Sequence, residues 1–173
     1  MKSNISLIGM PGAGKSTIGI ILAKNLALGF IDTDVLIQIN QQQTLQQIID
    51  GSDHLNLRAI EEEEVLKLNI ENQIISTGGS VIYSEKLMNH LLSLSTVVFL
   101  EVDYDKIKQR IRNFETRGIA KDINQTFRDL FEERQILYKK YAEITIDCNN
   151  LDQDELAVQI TNQYMEITAN QPP

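Results

Sequence analysis

Gly9-Met10-Pro11-Gly12-Ala13-Gly14-Lys15-Ser16-Thr17 decides the fold of this chain. The stretch fits G-x-x-x-x-G-K-S/T in full. An apolar run, Ile5-Ser6-Leu7-Ile8, stands before it and reads as a buried strand, and a helical pattern from Ile18 through Leu28 follows. Strand, glycine loop, helix is the context that a phosphate-binding loop requires. Glycines let successive backbone N–H groups turn inward around phosphate oxygens, and the new helix aims its positive end at the same point. Gly12, Ala13, Gly14, Lys15, Ser16 and Thr17 are therefore the expected nucleotide contacts. Lys15 reaches toward the β- and γ-phosphates, and the Ser16 hydroxyl is a Mg²⁺ ligand candidate.

Working outward, strands and helices alternate. Phe30-Ile31 ends a short strand and delivers Asp32-Thr33-Asp34 at its carboxyl end. A helix is expected over 35–40, a capped turn over 45–50 behind Thr44, and a longer helix over 55–68. Gln73 to Ser76 reads as a strand feeding Thr77-Gly78-Gly79-Ser80, and Ser84 caps a helix over 85–92. Thr96 to Leu100 is β-branched and uncharged, a buried strand. Asp103 caps a helix through Arg112; 113–123 reads as a loop; 125–141 is a long helix, 144–146 a last strand and 151–167 a closing helix. Strands alternating with helices and without tight hairpins imply a parallel sheet covered on both faces. The expected architecture is a three-layer α/β/α sandwich with about five central strands, in one domain spanning 1–170. Ligands in such sheets sit beyond the carboxyl ends of the strands, where the glycine loop, Asp32/Asp34 and Gly78/Gly79 all fall.

The chain has 173 residues, 42% hydrophobic and 23% charged, with a net charge of −8. That balance disfavours nucleic acid and anionic membrane as partners. Positive charge is instead local: five of six arginines (Arg110, Arg112, Arg117, Arg128 and Arg134, with Arg58 apart) lie between 110 and 134. They mark a second anion-handling region. A lone Cys148 excludes an internal disulfide. His54 and His90 have no metal-like spacing and read as surface residues. No signal peptide is expected, and 18–31 is too short and too polar to span a bilayer. A cytoplasmic monomer is expected.

Phosphoryl transfer needs one carboxylate near Mg²⁺ and another for the attacking hydroxyl. Asp32 and Asp34 point the same way if strand geometry persists through Asp34; the plainer alternative makes Asp34 a helix cap. Arg58 and Glu61 alone read as a surface helical pair, and Glu61-Glu62-Glu63-Glu64 as a solvated face. Arg134 and Tyr138 share one helix face.

Taken in order, these pieces resemble the shikimate kinase family from about Ile5 to Leu156. The resemblance is carried by the glycine loop, Phe30-Ile31-Asp32-Thr33-Asp34, Arg58 with Glu61, Ser76-Thr77-Gly78-Gly79, Arg110, Arg117, and Arg134 with Tyr138. It implies the P-loop fold of the nucleoside monophosphate kinases and ATP-dependent phosphorylation of a small hydroxylated carboxylic acid, shikimate first. Lys15, Asp34 and Arg117 would be catalytic, with Asp34 taking the acceptor's proton. Arg110 would lie along the adenine and Arg117 would close over the phosphates. Asp34, Arg58, Gly78, Gly79 and Arg134 would hold the acceptor, the arginines gripping its carboxylate and the glycines offering N–H groups. Ser16 and Asp32 would hold Mg²⁺. The acceptor segment would span about 34–61 and a lid about 113–123. This chain departs from the family pattern at Ser80, where a third glycine is usual, and at Arg117-Gly118-Ile119, where the family has Arg-Pro-Leu. Both departures touch the acceptor or the lid. The alternatives are a related kinase for another small metabolite and a nucleotide-binding regulator without transfer, which would have lost Asp34 or the arginine pair.

Overall fold

The computed structural model describes residues 2–111, 119, 122 and 124–169. Five parallel strands, β1 (Asn4–Ile8), β2 (Gly29–Asp32), β3 (Gln73–Ser76), β4 (Ser95–Glu101) and β5 (Ile144–Asp147), form one sheet in the order β2-β3-β1-β4-β5. The central strand is buried at every residue, whereas edge strand β5 alternates buried and exposed. That difference is what covering by helices on both faces requires. Strands buried at every residue survive only where neither face meets water.

The chain steps from β1 past β3 to β2, then returns across the sheet through β3, β4 and β5. Right-handed crossovers place connections running in opposite directions on opposite faces. Helix α1 (Lys15–Leu26) thus lies on one face, and the final helix α8 (Gln153–Ala169) packs against it. The returning connections carry α2 (Thr33–Gln41), α3 (Leu45–Gly51), α4 (His54–Leu66), α5 (Glu85–Leu94), α6 (Tyr104–Arg110) and α7 (Phe127–Tyr141). Of these, α5 and α7 pack on β4. The three-layer expectation is borne out. Strands β1 and β3 lie side by side with their following connections on opposite faces, so a crevice opens between their carboxyl ends.

Helices α2 to α4 carry a small apolar cluster of their own, built on Ile37, Ile48 and Leu57, apart from the main core. A bond from Asn40 Nδ2 to Glu64 Oε2 at 2.6 Å ties α2 to α4. Several element boundaries differ from the sequence reading. Helix α1 begins at Lys15, not Ile18, because Gly14 adopts a left-handed φ of 99° and turns the chain straight into the helix. Helix α2 begins at Thr33 rather than Val35. A 3₁₀ turn at Val81–Tyr83 has no counterpart in the sequence reading. Arg112, Arg117, Gly118 and all of the expected lid except Ile119 and Asp122 lie outside the described residues.

At the opposite end of the sheet, Asn4 is buried and closes three backbone groups. Its Nδ2 donates to Ile70 O at 2.7 Å and Leu94 O at 2.9 Å, and its Oδ1 accepts from Gln73 N at 2.9 Å. The start of β3 and the entry to β4 are both fixed to β1 by this side chain. Replacing it with Ala strands three polar groups in the interior. Asn4→Ala is expected to destabilise the protein by about 2–4 kcal/mol, read as a lowered urea midpoint at unchanged slope.

Candidate active site

The glycine loop leaves β1 through two left-handed glycines, Gly12 (φ 80°) and Gly14 (φ 99°), with a turn closed by Ala13 N donating to Met10 O at 3.0 Å. Gly9 (φ 146°) sits so close to β4 that an added Cβ would stand 2.9 Å from Leu100 O. Lys15 opens α1, is buried, and donates to Gly9 O at 2.8 Å and Met10 O at 3.0 Å. Burial lowers its pKa to about 8, against the opposing pull of Asp34. It therefore stays a cation at neutral pH.

The adjacent loop is registered to the first by Thr77, whose N–H and Oγ1 both donate to Leu7 O, at 3.2 and 2.9 Å. Between these loops lies a cavity of about 460 Å³ lined by Pro11, Gly12, Gly14 to Thr17, Asp34, Glu61, Thr77 to Ser80, Arg110 and Arg134, with Ile37, Leu45, Leu57 and Ile119. Thus Lys15, Asp34, Gly78, Gly79, Arg110 and Arg134 share one cavity wall. Arg58 approaches from α4, half-buried, with its guanidinium 3.7 Å above the Tyr83 ring. Arg117 lies outside the described residues.

Asp32 and Asp34 do not extend side by side from a strand. The strand stops at Asp32, which caps α2: its Oδ1 accepts from Asp34 N at 3.0 Å and Val35 N at 3.3 Å. The cap is Asp32, not Asp34. Its other oxygen accepts from Ser16 Oγ at 2.6 Å, and Ser16 Oγ also lies 3.2 Å from Ser76 Oγ. Asp34, in the first turn of α2, is turned into the cavity, where burial raises its pKa to about 6 while Lys15 restrains the rise. It is ionised at neutral pH yet more basic than a free carboxylate.

Glu61 overturns the reading of a solvated glutamate face. Glu61 and Glu64 are buried, while Glu63 is exposed. Glu61 accepts a short hydrogen bond from Ser80 Oγ. Burial and the nearby Asp34 carboxylate push its pKa up to about 7. The buried positions Leu57, Glu61, Glu64 and Val65 follow helical spacing; that period was the available signal. The glycines make room for these groups. A Cβ at Gly78 would stand 2.1 Å from Glu61 Oε1 and 2.7 Å from Asp34 Oδ1, and one at Gly79 would stand 2.8 Å from Arg134 Nη1. The Gly78 N–H itself is taken, donating to Thr33 Oγ1 at 3.1 Å. Both glycines thus permit close approach, and the N–H of Gly78 is directed to Thr33.

Arg134 is buried on α7 beside Tyr138, whose hydroxyl donates to Gly79 O at 2.7 Å and whose ring stacks on Phe99 with centroids 5.1 Å apart. Arg110 donates to Gly12 O at 3.3 Å. It also borders a second depression, about 670 Å³, that runs past Cys148 and Asp152 on the outer side of the loop. Arg128 does not join the site: it stacks on Tyr104 at 4.1 Å and pairs with Glu132 at 3.4 Å on the surface.

Glu61 generates a pH effect with a definite sign. Its folded pKa lies above the ordinary 4.5, so between about pH 4.5 and 7 the unfolded chain releases this proton while the folded protein retains it. Stability therefore falls as pH rises through that window. In the Glu61→Gln variant the difference in urea midpoint between about pH 5 and pH 7.5 should shrink. An identical pH slope in both proteins would place Glu61 outside this balance.

A family model for shikimate kinase matches residues 11–165. The shikimate kinase of Paracidovorax citrulli is 32% identical over 175 residues, covering 98% of this chain and 96% of that protein. The shikimate kinase of Bacillus mycoides is 37% identical, covering 87% of this chain and 90% of that one. Among solved structures, shikimate kinase from Acinetobacter baumannii in complex with shikimate superposes with a TM-score of 0.88 at 28% identity, over 96% of this chain and 94% of that chain. Matched in sequence and in backbone along nearly all of its length, the chain belongs to the shikimate kinase family.

Proposed function

We propose that this protein transfers the γ-phosphoryl group of ATP to the 3-hydroxyl of shikimate. The observation that carries the reading is one cavity holding a phosphate loop with its buried Lys15, a raised-pKa Asp34 and a buried Arg134. The loop is a phosphate cradle, the carboxylate is a proton acceptor and the guanidinium is an anion receptor. A kinase whose acceptor bears both a hydroxyl and a carboxylate uses all three.

In this reading the acceptor oxygen attacks the γ-phosphorus as the bond from phosphorus to the β,γ-bridging oxygen breaks. ADP leaves with that electron pair, and the hydroxyl proton passes to Asp34. Lys15 balances negative charge on the transferring group, where a preorganised cation in a dry site is most effective. Arg134 and Arg58 receive the carboxylate, whose two oxygens suit guanidinium geometry. Arg110 borders the nucleotide on the outer side of the loop, and Arg117 is assigned to the phosphates on the family resemblance. The segment about 34–61, with its separate apolar cluster, is the acceptor-binding part of a single domain.

The residues also fit Mg²⁺. Ser16 and Asp32 supply hard oxygen donors beside the loop. Among the described residues no group of three or more His, Cys, Asp or Glu forms a closed metal cage. Mg²⁺ suits that arrangement, since it keeps several waters and leans on substrate phosphates. Bound there, it would neutralise charge on the β- and γ-phosphates. No helix among the described residues is long and apolar enough to cross a membrane.

A coupled ADP-release assay with shikimate, and with the carboxamide that replaces its carboxylate, tests the reading; turnover with shikimate and its loss with the carboxamide are expected. Asp34→Asn should lower kcat by about 10²- to 10⁴-fold with little change in the KM for ATP. Weak ATP binding at normal kcat would instead move Asp34 to the metal. Arg134→Ala should cost about 2–5 kcal/mol in kcat/KM for shikimate while ATP binding persists. Better turnover of an uncharged polyol would remove the carboxylate grip.

A further inference from the structure

The two arginines assigned to the acceptor carboxylate meet on a single aromatic ring. Arg58 Cζ lies 3.7 Å from the Tyr83 ring centroid and Arg134 Cζ lies 5.5 Å from it. Arg134 Nε also donates to Tyr83 Oη at 3.5 Å, and the Glu133 carboxylate lies near the same hydroxyl. Tyr83 thus touches α4 through one arginine and α7 through the other. It stands at the end of the 3₁₀ turn that follows Gly78-Gly79-Ser80. Residues three apart in such a turn fall on one side. Ser80 accordingly takes Glu61 of α4 while Tyr83 takes Arg58 of the same helix.

Two guanidinium groups brought to one site repel each other. Arg58 is also drawn by the carboxylates of Glu133 and of Glu61, which shares its recess. An aromatic face attracts a guanidinium without neutralising it. The ring can therefore hold Arg58 against both forces. The hydroxyl does the equivalent for Arg134 by accepting from its Nε. Fixing such groups before binding removes an ordering cost that the ligand would otherwise bear.

We infer that Tyr83 is a positioning residue that presets the Arg58–Arg134 pair for the acceptor's carboxylate, its ring face holding Arg58 and its hydroxyl holding Arg134. The inference rests on the reading that these arginines receive that carboxylate. Tyr83 does not touch the reacting atoms. Its contribution lies in acceptor affinity, with kcat at saturating acceptor and the KM for ATP left in place.

Two substitutions separate the two contacts. Tyr83→Phe keeps the ring face and removes the hydroxyl; Tyr83→Leu removes both. The KM for shikimate should rise about 2- to 5-fold in the first and about 5- to 30-fold in the second. The KM for ATP and kcat should hold within about twofold, and the inhibition constant of the carboxamide of shikimate, used as a competitor, should show no comparable change. The Nε–Hε resonance of Arg58, shifted by the ring current, should persist in Tyr83→Phe and vanish in Tyr83→Leu. Unchanged shikimate KM in both variants, or equal rises for shikimate and its carboxamide, overturns the inference. Should Tyr83→Leu not fold, Tyr83→Phe carries the same comparison through the Arg134 contact. Arg134→Ala, measured alongside, distinguishes the two levels. A rise there without one in the Tyr83 variants overturns the role of Tyr83 alone, and no rise in any variant removes the carboxylate grip and this inference together.

Discussion

Lys15, Asp34, Glu61 and Arg134 are drawn into one cavity, where opposite charges offset part of what burial costs. Burial works against each ionised form, pushing Lys15 down and Asp34 and Glu61 up. Opposite charges nearby restrain those shifts: Asp34 supports Lys15, Lys15 supports Asp34, and Arg134 and Arg58 support Glu61. A single uncompensated charge in such a place costs several kcal/mol. The balance is also what makes the groups chemically useful, because Asp34 is left ionised but basic and Lys15 charged but poorly hydrated. The rest of the fold is arranged so that these four side chains converge.

Convergence is a problem of loops on a rigid sheet. Lys15 comes from the loop after β1, Asp34 from the turn after β2, Glu61 from the middle of α4 and Arg134 from the middle of α7. They can meet because the direction of the chain reverses beside β1 and opens a crevice there. Thr77 fixes the height of the two inner loops through its paired bonds to Leu7. Gly78 and Gly79 then remove the side chains that would keep Glu61, Asp34 and Arg134 away.

The periodic parts of this design were legible before the structure. The glycine loop, the five strands and the site at their carboxyl ends all follow from patterns that local physics imposes: apolar runs in buried strands, glycine where φ turns positive. What escaped depended on boundaries and on partners distant in sequence. Asp32 and Asp34 exchange roles according to whether the helix starts at Thr33 or Val35, and capping residues of either kind suit both starts. Glu61 was concealed in a run of four glutamates, although its spacing from Leu57 and Val65 places it on the buried face. The importance of Tyr83 carries no local mark, because both of its arginine partners come from other elements. Ser80 stood out as a departure from a glycine pattern, yet its bond to Glu61 joins two helical segments that no period connects.

Gly78 and Gly79 have a consequence for how this pocket can diversify. Any side chain at Gly78 would strike Glu61 and Asp34, and any at Gly79 would strike Arg134 and Pro11. At both positions a neighbouring side chain would have to move first. Ser80 and Tyr83 are under no such restriction: each meets the site through a side chain that already fills its own space. A substitution in this wall therefore meets least obstruction at its far end, away from the two glycines.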